Sequence, residues 1–384
     1  MTFPRARPEV ESLQAYSAPL EGRRGLLRLD FNENTLGPSP RVIEAIRAIP
    51  ADHIAIYPEY DGLREAVIAN LQTQQCTLAQ SSARAQSNEP ASGLVQSLTP
   101  DQIGLFNGVD AAIHAICHAY GDRGETLLTT SPTFGYYTPC AQMQGMAIEA
   151  IPYGLPDFAF PLEPIRAALA RAPKLLLLCN PNNPTGTRLA PELILELAAA
   201  APQTLVVVDE LYEAFTGDSM LPLADFARTP NLVVLRSLAK TAGLAGLRMG
   251  FAIGAAAVID RIGRVTGPYD INSVAVTAAH AALADQAYTD AYVAQVIEAR
   301  SWLVAQLEAA GVRHHCAGGN YLLIWPQRPA AEVEAGLRQA GVLVRSMAGK
   351  PLIDGTLRVS IGTLEQMERF FAVFRAVSGV PCSG

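Results

Sequence analysis

The chain has 384 residues, 49% of them hydrophobic, which is enough for a large buried core and for more than one domain. The formal net charge is −7, and no basic cluster is present, so the composition disfavours nucleic acid and favours small molecules or other protein subunits as partners. No apolar run reaches membrane-spanning length, and the first residues lack the apolar core of a signal peptide. We therefore expect a cytoplasmic protein without membrane contact.

Short apolar runs predict strands that are buried on both faces, at 126–130, 174–179, 204–208, 231–235 and 250–254. Helical patterns such as PLEPIRAALARA and APELILELAAAA lie between most of these runs. Strands that alternate with crossover helices indicate an α/β fold with a mainly parallel sheet. A long Ala-rich helical stretch at 273–311, followed by short strands and a further helix, predicts a smaller α+β domain.

We predict three parts in the chain. Residues 1–50 form an N-terminal arm and part of the small domain, 51–268 form the large domain, and 269–384 form the small C-terminal domain. Within the large domain, the segment 72–100 is polar, rich in Gln and Ser, and poor in strand or helix periodicity. We expect this segment to be a mobile surface insertion.

The cysteines and histidines do not predict a disulfide or a metal site. The six cysteines have no paired spacing and lie mostly in apolar segments, where a free thiol behaves as a small core residue. His114 and His118 would share a helix face, and His314, His315 and Cys316 are consecutive. Neither group supplies a complete four-coordinate ligand set. We expect no bound metal.

Lys240 lies in the stretch SLAKTAGLAGLRMG, where its neighbours are small or apolar. A desolvated amine has a lowered pKa and is more often the free nucleophile that Schiff-base chemistry with a carbonyl requires. The alternative is a glycine-rich loop whose lysine extends its amine into solvent. The stretch alone leaves both interpretations open.

In open α/β sheets, ligands bind beyond the carboxyl ends of the strands. Asp209 in DELY follows one predicted strand, NPNNPTG follows a second, RSLAK follows a third, and the helix in FNGVDAAIHAI opens behind a glycine. The free N–H groups and the positive dipole end of such a helix favour an anion. Together the segments supply an amine, a buried acid, an amide, a phenol and a phosphate site with an arginine, which is the set that pyridoxal phosphate needs.

The motifs NPNNPTG, DELY, SLAKTAGLAGLRMG and LRVSIGT, in this order and spacing, resemble the fold-type-I, pyridoxal-phosphate-dependent aminotransferases, in particular the histidinol-phosphate aminotransferase branch. LDFNENTLGPSP, YPEYDGLREAV, SPTFGYY and VLVRSM are similar to that branch too, so the likeness covers nearly the whole chain outside 72–100. The resemblance implies a large α/β domain with a mainly parallel, seven-stranded sheet flanked by helices, a smaller α+β domain, and a homodimer with shared active sites.

The resemblance also implies roles for individual residues. Lys240 would bind the cofactor's aldehyde and carry the proton between the substrate Cα and the cofactor, Asp209 would pair with the ring nitrogen, and Tyr212 would complete the catalytic set. The cofactor contacts would be Asn183 and Tyr212 at the ring hydroxyl, Phe134 on the ring face, Ser237, Arg248 and the backbone of Val109 and Asp110 at the phosphate, and Tyr57 from the partner subunit. The substrate contacts would be Tyr16, Asn183, Arg345 and Arg358, with Arg358 binding a carboxylate or a phosphate.

Three positions depart from the family's pattern. Leu211 stands where an alanine usually lies beneath the cofactor ring, Ala111 occupies a place that is acidic in many relatives, and Ile56 precedes Tyr57 where arginine is common. These departures bear on the substrate more than on the cofactor.

Three functions are compatible with the motifs. The first is an aminotransferase that moves an amino group between an amino-acid-type donor, such as histidinol phosphate or an aromatic or other amino acid, and a 2-oxo acid. The second is a decarboxylase or an elimination or cyclisation enzyme acting on a phosphorylated or hydroxylated amino acid. The third is a cofactor-binding protein without catalysis, against which the joint presence of Lys240, Asp209 and Arg248 counts.

Overall fold

The structure, a computed structural model, describes residues 4–14, 21–82 and 98–379, with 75–82 described as backbone only. The described residues contain a central seven-stranded sheet. In spatial order its strands are β2 (Ile103–Asn107), β8 (Met249–Gly254), β7 (Leu232–Ser237), β6 (Leu205–Asp209), β5 (Leu175–Cys179), β3 (Thr126–Ser131) and β4 (Ala147–Pro152). Only β8 runs antiparallel to its neighbours, which confirms the predicted mainly parallel sheet.

The five predicted strands are present because each is a continuous apolar run that the sheet buries on both faces. In β6, Val206 packs into one hydrophobic cluster and Val207 into the cluster on the opposite face. The sequence analysis singled out neither β2 nor β4, which are the two edge strands. Their patterns are weaker because β2 includes Gly104 and the exposed Asn107, and every side chain of β4 is at least partly accessible to solvent.

Helices cover both faces of this sheet. Those on one face are α5 (Val109–Tyr120), α6 (Tyr137–Gln142) and α9 (Ala256–Gly263). Those on the other face are α4 (Leu63–Ser82), α7 (Leu162–Leu169), α8 (Pro191–Ala200) and α10 (Ser273–Leu283). Three shorter N-terminal helices are α1 (Pro8–Glu11), α2 (Pro40–Arg47) and α3 (Ala51–Ala55). This two-sided helical cover buries the sheet as an α/β fold requires.

A second sheet forms the centre of the C-terminal part. Its strands in spatial order are β12 (Arg345–Ser346), β13 (Leu357–Ser360), β10 (Tyr321–Ile324) and β9 (His314–His315). The helices of this part are α11 (Gln286–Ala309), α12 (Ala330–Gln339) and α13 (Leu364–Ser378). β1 (Leu27–Arg28) pairs in parallel with β11 (Val342–Leu343), so the N-terminal segment reaches this part of the molecule.

Two features differ in detail from the sequence interpretation. The helical stretch 273–311 is two helices, α10 and α11, and α10 packs on the core of the large sheet although it follows the predicted boundary at residue 269. The segment 72–100 shows little helical periodicity in its sequence, but α4 continues through its first residues to Ser82. Leu63, Val67 and Leu71 anchor the start of α4 in the core, and Gln, Leu and Ala extend a helix at little cost. Residues 83–97 of the predicted insertion lie outside the described residues.

The described residues contain no helix long and apolar enough to cross a membrane. Cys117, Cys140, Cys179 and Cys316 are free thiols. Within the same described ranges, no group of three or more His, Cys, Asp and Glu side chains is arranged to hold a metal ion.

Candidate active site

The candidate site lies at the carboxyl edge of the large sheet. Asp209 is the last residue of β6, Ser237 is the last residue of β7, and Asn183 follows β5 by a few residues. The parallel register places Cys179 beside Asp209 and Asp209 beside Leu235, so neighbouring strands end at the same level. Polar residues that follow separate strands in the sequence are thereby gathered at one edge of the sheet.

Asp209 is a buried carboxylate, with only 2% of its surface exposed. The Tyr137 hydroxyl donates to its Oδ2 at 2.6 Å, and the Leu211 N–H donates to its Oδ1 at 3.3 Å. Burial raises the pKa of Asp209 to about 6, against the opposing effect of the Tyr137 hydrogen bond. The sequence analysis missed Tyr137. It is the last tyrosine of the quoted motif SPTFGYY, which was the one available signal.

The Lys240 amine donates to the backbone oxygen of Phe31 at 2.9 Å. Burial, together with the positive charge of Arg358, lowers the pKa of Lys240 to about 8. A larger fraction of this amine is therefore neutral at physiological pH than for an exposed lysine. The environment agrees with the first of the two interpretations of this stretch, a desolvated, nucleophilic amine.

Tyr212 lies between two asparagines. Its hydroxyl oxygen accepts hydrogen bonds from Asn183 Nδ2 at 3.2 Å and from Asn32 Nδ2 at 3.1 Å. Burial holds the pKa of this hydroxyl well above its ordinary value, so the group keeps its proton and can donate it to a bound acceptor. Asn32 is a second residue that the sequence analysis did not single out. Its φ of 55° lies in the left-handed region, which asparagine tolerates better than most residues.

The start of α5 has the features of an anion site. Gly108 precedes the helix with φ of 81°, and a Cβ there would lie 2.3 Å from Arg248 Nη2. A Cβ on Gly250 would lie 2.5 Å from the Val109 nitrogen, so glycine permits the close approach of β8 to the helix. Arg248 Nη2 donates to Asp110 Oδ2 at 2.6 Å. The first N–H groups of α5, the dipole of the helix and this guanidinium fit the cofactor's phosphate.

Ser237 is the last residue of β7 and lies next to the anion site at the start of α5. Its hydroxyl donates to the Met249 carbonyl at 3.1 Å and accepts from the Ala239 N–H at 3.1 Å. The side chain thus shapes the turn that leads to Lys240. A contact between Ser237 and the phosphate remains a prediction.

Two arginines predicted to bind substrate lie opposite one another on adjacent strands, because Arg345 of β12 pairs in register with Arg358 of β13. Arg358 Nη1 donates to Asn183 Oδ1 at 2.7 Å, and its Nη2 donates to the Asp30 carbonyl at 2.6 Å. The Arg345 guanidinium lies over the Phe31 ring, 5.6 Å from its centroid. Asn183 therefore connects Arg358 to Tyr212.

The remaining predicted residues occupy different places. Phe134 is half-buried and makes an edge-to-face contact with Tyr137, with ring centroids 5.5 Å apart. Tyr57 is 72% exposed and stacks on Tyr269 at 4.2 Å, so it lies on the surface of the chain. Tyr16 lies outside the described residues. Leu211 is half-buried next to Asp209.

Comparison with known proteins decides the family. Residues 24–374 match the family model described as aminotransferase class I and II. The chain belongs to this family. Histidinol-phosphate aminotransferase from Symbiobacterium thermophilum is 34% identical to this aminotransferase over 364 residues, which cover 93% of this chain and 92% of the relative.

Solved structures show the same fold. Histidinol-phosphate aminotransferase from Sinorhizobium meliloti, in complex with pyridoxal-5′-phosphate, aligns with a TM-score of 0.81 and 23% identity over 98% of this chain and 99% of its own. A mutant of aspartate aminotransferase from Thermus thermophilus aligns with a TM-score of 0.74 and 24% identity over 98% and 100%. The predicted fold, family and cofactor are confirmed.

Proposed function

We propose that this aminotransferase takes its amino group from a donor that carries a phosphate or carboxylate, with histidinol phosphate as the first candidate, and passes it to a 2-oxo acid. The observation that carries the proposal is the pairing of Arg345 with Arg358 on neighbouring strands, joined through Asn183 to Tyr212. Two guanidinium groups suit an oxyanion because their planar N–H donors match its geometry. The curated relative described above supports the choice of histidinol phosphate.

Each predicted catalytic residue has a task that its environment favours. Pyridoxal phosphate supplies the electron sink when it is bound. Lys240 accepts and returns the proton at the substrate Cα, which its depressed pKa makes possible near neutral pH. With the cofactor bound, Asp209 would keep the ring nitrogen protonated, and Tyr212 would donate to the ring hydroxyl. Arg358 orients the donor through its anionic group.

A second copy of the chain completes the site in this proposal. Ile54, Ile56, Tyr57 and Tyr269 are all more than half exposed, and such apolar side chains favour burial against another subunit. Tyr57 would then reach the active site of the partner subunit, as the resemblance implies. A cytoplasmic location is part of the same proposal.

Substrate screening combined with Arg358→Lys tests whether Arg358 binds the substrate's anionic group. We expect amino transfer from histidinol phosphate to a 2-oxo acid, measured by mass spectrometry across a panel of amino acids and phosphate esters. Arg358→Lys keeps the charge but loses the planar fork, so kcat/KM should fall about 10²-fold while cofactor absorption in the resting enzyme stays normal.

Removing the phosphate from the substrate should cost about as much as the mutation, and the two losses should not add. Arg313→Lys is the matched control. The Arg313 guanidinium lies over the Trp325 ring, 4.3 Å from its centroid, and Arg313 precedes β9, at the opposite edge of the small sheet from Arg345. Product formation without any 2-oxo acid would favour decarboxylation or elimination. Full activity of Arg358→Lys on every substrate would show that the substrate's anionic group binds elsewhere.

Mixed dimers test the shared site. In a heterodimer of one Lys240→Ala chain and one Tyr57→Ala chain, one active site carries both defects and the other carries neither, if Tyr57 acts in the partner's site. We expect such heterodimers, isolated with two affinity tags, to recover about half of the wild-type activity per dimer, because one of the two equivalent sites is intact. Activity no higher than that of the Tyr57→Ala homodimer would assign Tyr57 to its own subunit or to no site.

A further inference from the structure

Tyr137 is buried beneath the candidate site. None of its side chain is exposed, and it opens α6 shortly after β3. Its hydroxyl donates to Asp209 Oδ2 at 2.6 Å, which is shorter than the 3.3 Å bond from the Leu211 N–H to Oδ1. A buried carboxylate depends on such donors, since water cannot replace them.

The surroundings of this hydrogen bond make it hard to replace. Cys179 is the strand partner of Asp209 in β5, and its thiol is directed to the Pro181 carbonyl at 3.3 Å. The Tyr137 ring also packs edge-to-face on Phe134, the aromatic residue predicted to lie on the cofactor ring. Tyr137 therefore contacts two groups that are assigned to the same cofactor ring.

We propose that Tyr137 is a positioning residue that acts through Asp209: its hydroxyl orients the carboxylate and stabilises the ionised form that binds the cofactor's ring nitrogen. The proposal rests on the role of Asp209 given under the proposed function. It assigns no direct contact between Tyr137 and the cofactor.

The electrostatics support this geometry. Burial raises the pKa of Asp209 to about 6, and the hydrogen bond from Tyr137 is the largest influence that lowers it. Without that bond the pKa of Asp209 should rise further, and more of the carboxyl group would be protonated at neutral pH. A protonated carboxyl no longer holds the positive charge of a protonated ring nitrogen, so cofactor affinity should fall.

Tyr137→Phe tests the proposal because it removes the hydroxyl and keeps the ring contact with Phe134. Tyr153→Phe is the matched control: Tyr153 is also buried, and its hydroxyl bonds to Thr130 rather than to Asp209. The affinity of each apoprotein for pyridoxal phosphate should be measured from about pH 5 to 9, the range in which a raised carboxyl pKa titrates.

For Tyr137→Phe we expect the low-pH loss of affinity to begin about one pH unit higher than in the wild type. Binding should be about twofold weaker at neutral pH, approach a tenfold loss near pH 5, and recover at high pH. The control should follow the wild-type profile. The other titratable groups around Asp209 are the same in the wild type and in both variants. They are Cys179, Tyr212, Lys240 and Asp110.

Two outcomes would overturn the proposal. An unshifted pH profile would show that the hydroxyl does not act on Asp209, and a uniform loss of affinity at every pH with a lower unfolding temperature would show a packing role alone. Asp209→Asn separates this result from a failure of the proposed function. If Asp209→Asn is impaired in turnover while Tyr137→Phe has a normal profile, only the role of Tyr137 is wrong.

Discussion

Lys240→Ala should abolish turnover and the covalent attachment of the cofactor. The amine at this position is desolvated and lies at the end of the sheet beside Arg358 and Phe31. The chain has two other lysines, Lys174 and Lys350, and neither follows a strand end with a comparable apolar setting. Loss of both the Schiff-base nucleophile and the proton carrier should cost many orders of magnitude in rate.

Visible absorption of the purified protein, together with mass spectrometry after borohydride reduction, measures the covalent attachment. Lys350→Ala is the control, because it removes an exposed lysine from the same chain. Unchanged cofactor absorption and attachment in Lys240→Ala would end the assignment of Lys240 as the nucleophile.

In the wild-type apoprotein, burial of the Lys240 amine should lower the free energy of unfolding. The pKa of Lys240 falls from its ordinary 10.5 to about 8 in the folded chain. Between those pH values the unfolded chain binds more protons, so this destabilisation is complete below about pH 8 and disappears as the pH rises toward 10.5. The free energy of unfolding of apo Lys240→Met should therefore be roughly 1–3 kcal/mol higher than that of the wild type at pH 7. The gain should shrink above pH 8, as denaturant titrations would measure; a gain independent of pH would contradict the assigned cause.

Asp209→Asn should give the second-largest effect. The substitution keeps the size of the side chain and removes the negative charge at the ring nitrogen. We expect pyridoxal phosphate still to bind through the anion site at α5, while kcat falls about 10²- to 10³-fold, the range for loss of one preorganised electrostatic group. The cause is the loss of the carboxylate that keeps the ring nitrogen protonated while negative charge develops at the substrate Cα.

Asp110→Asn provides the contrast. Asp110 pairs with Arg248 at the anion site, so its substitution should change cofactor affinity more than kcat at saturating cofactor. Single-turnover kinetics separate binding from chemistry in both variants. Turnover of Asp209→Asn near the wild-type rate would contradict the role of this carboxylate in keeping the ring nitrogen protonated.

The sequence by itself determined the class of fold and the local setting of the predicted catalytic residues. Asp209 follows a run of valines, and Lys240 stands among small apolar residues. Burial of continuous apolar runs and the meeting of parallel strand ends at one edge are general consequences of hydrophobicity and sheet geometry. For that reason local patterns were sufficient to predict the mainly parallel sheet, whereas the stretch around Lys240 left a desolvated and a solvated amine both possible, and only the burial of Lys240 in the fold lowers its pKa.

Only the tertiary structure decided which distant groups meet at the site. Tyr137 bonds to Asp209 across 72 positions, Asn32 to Tyr212 across 180, and Lys240 to the Phe31 carbonyl across 209. No local periodicity encodes such contacts, because they depend on how α6 and the N-terminal segment pack against the sheet edge. The edge strands β2 and β4 were missed for a related reason: their partly exposed side chains lack the apolar run that marks a buried strand, and pairing with a neighbouring strand is what defines them.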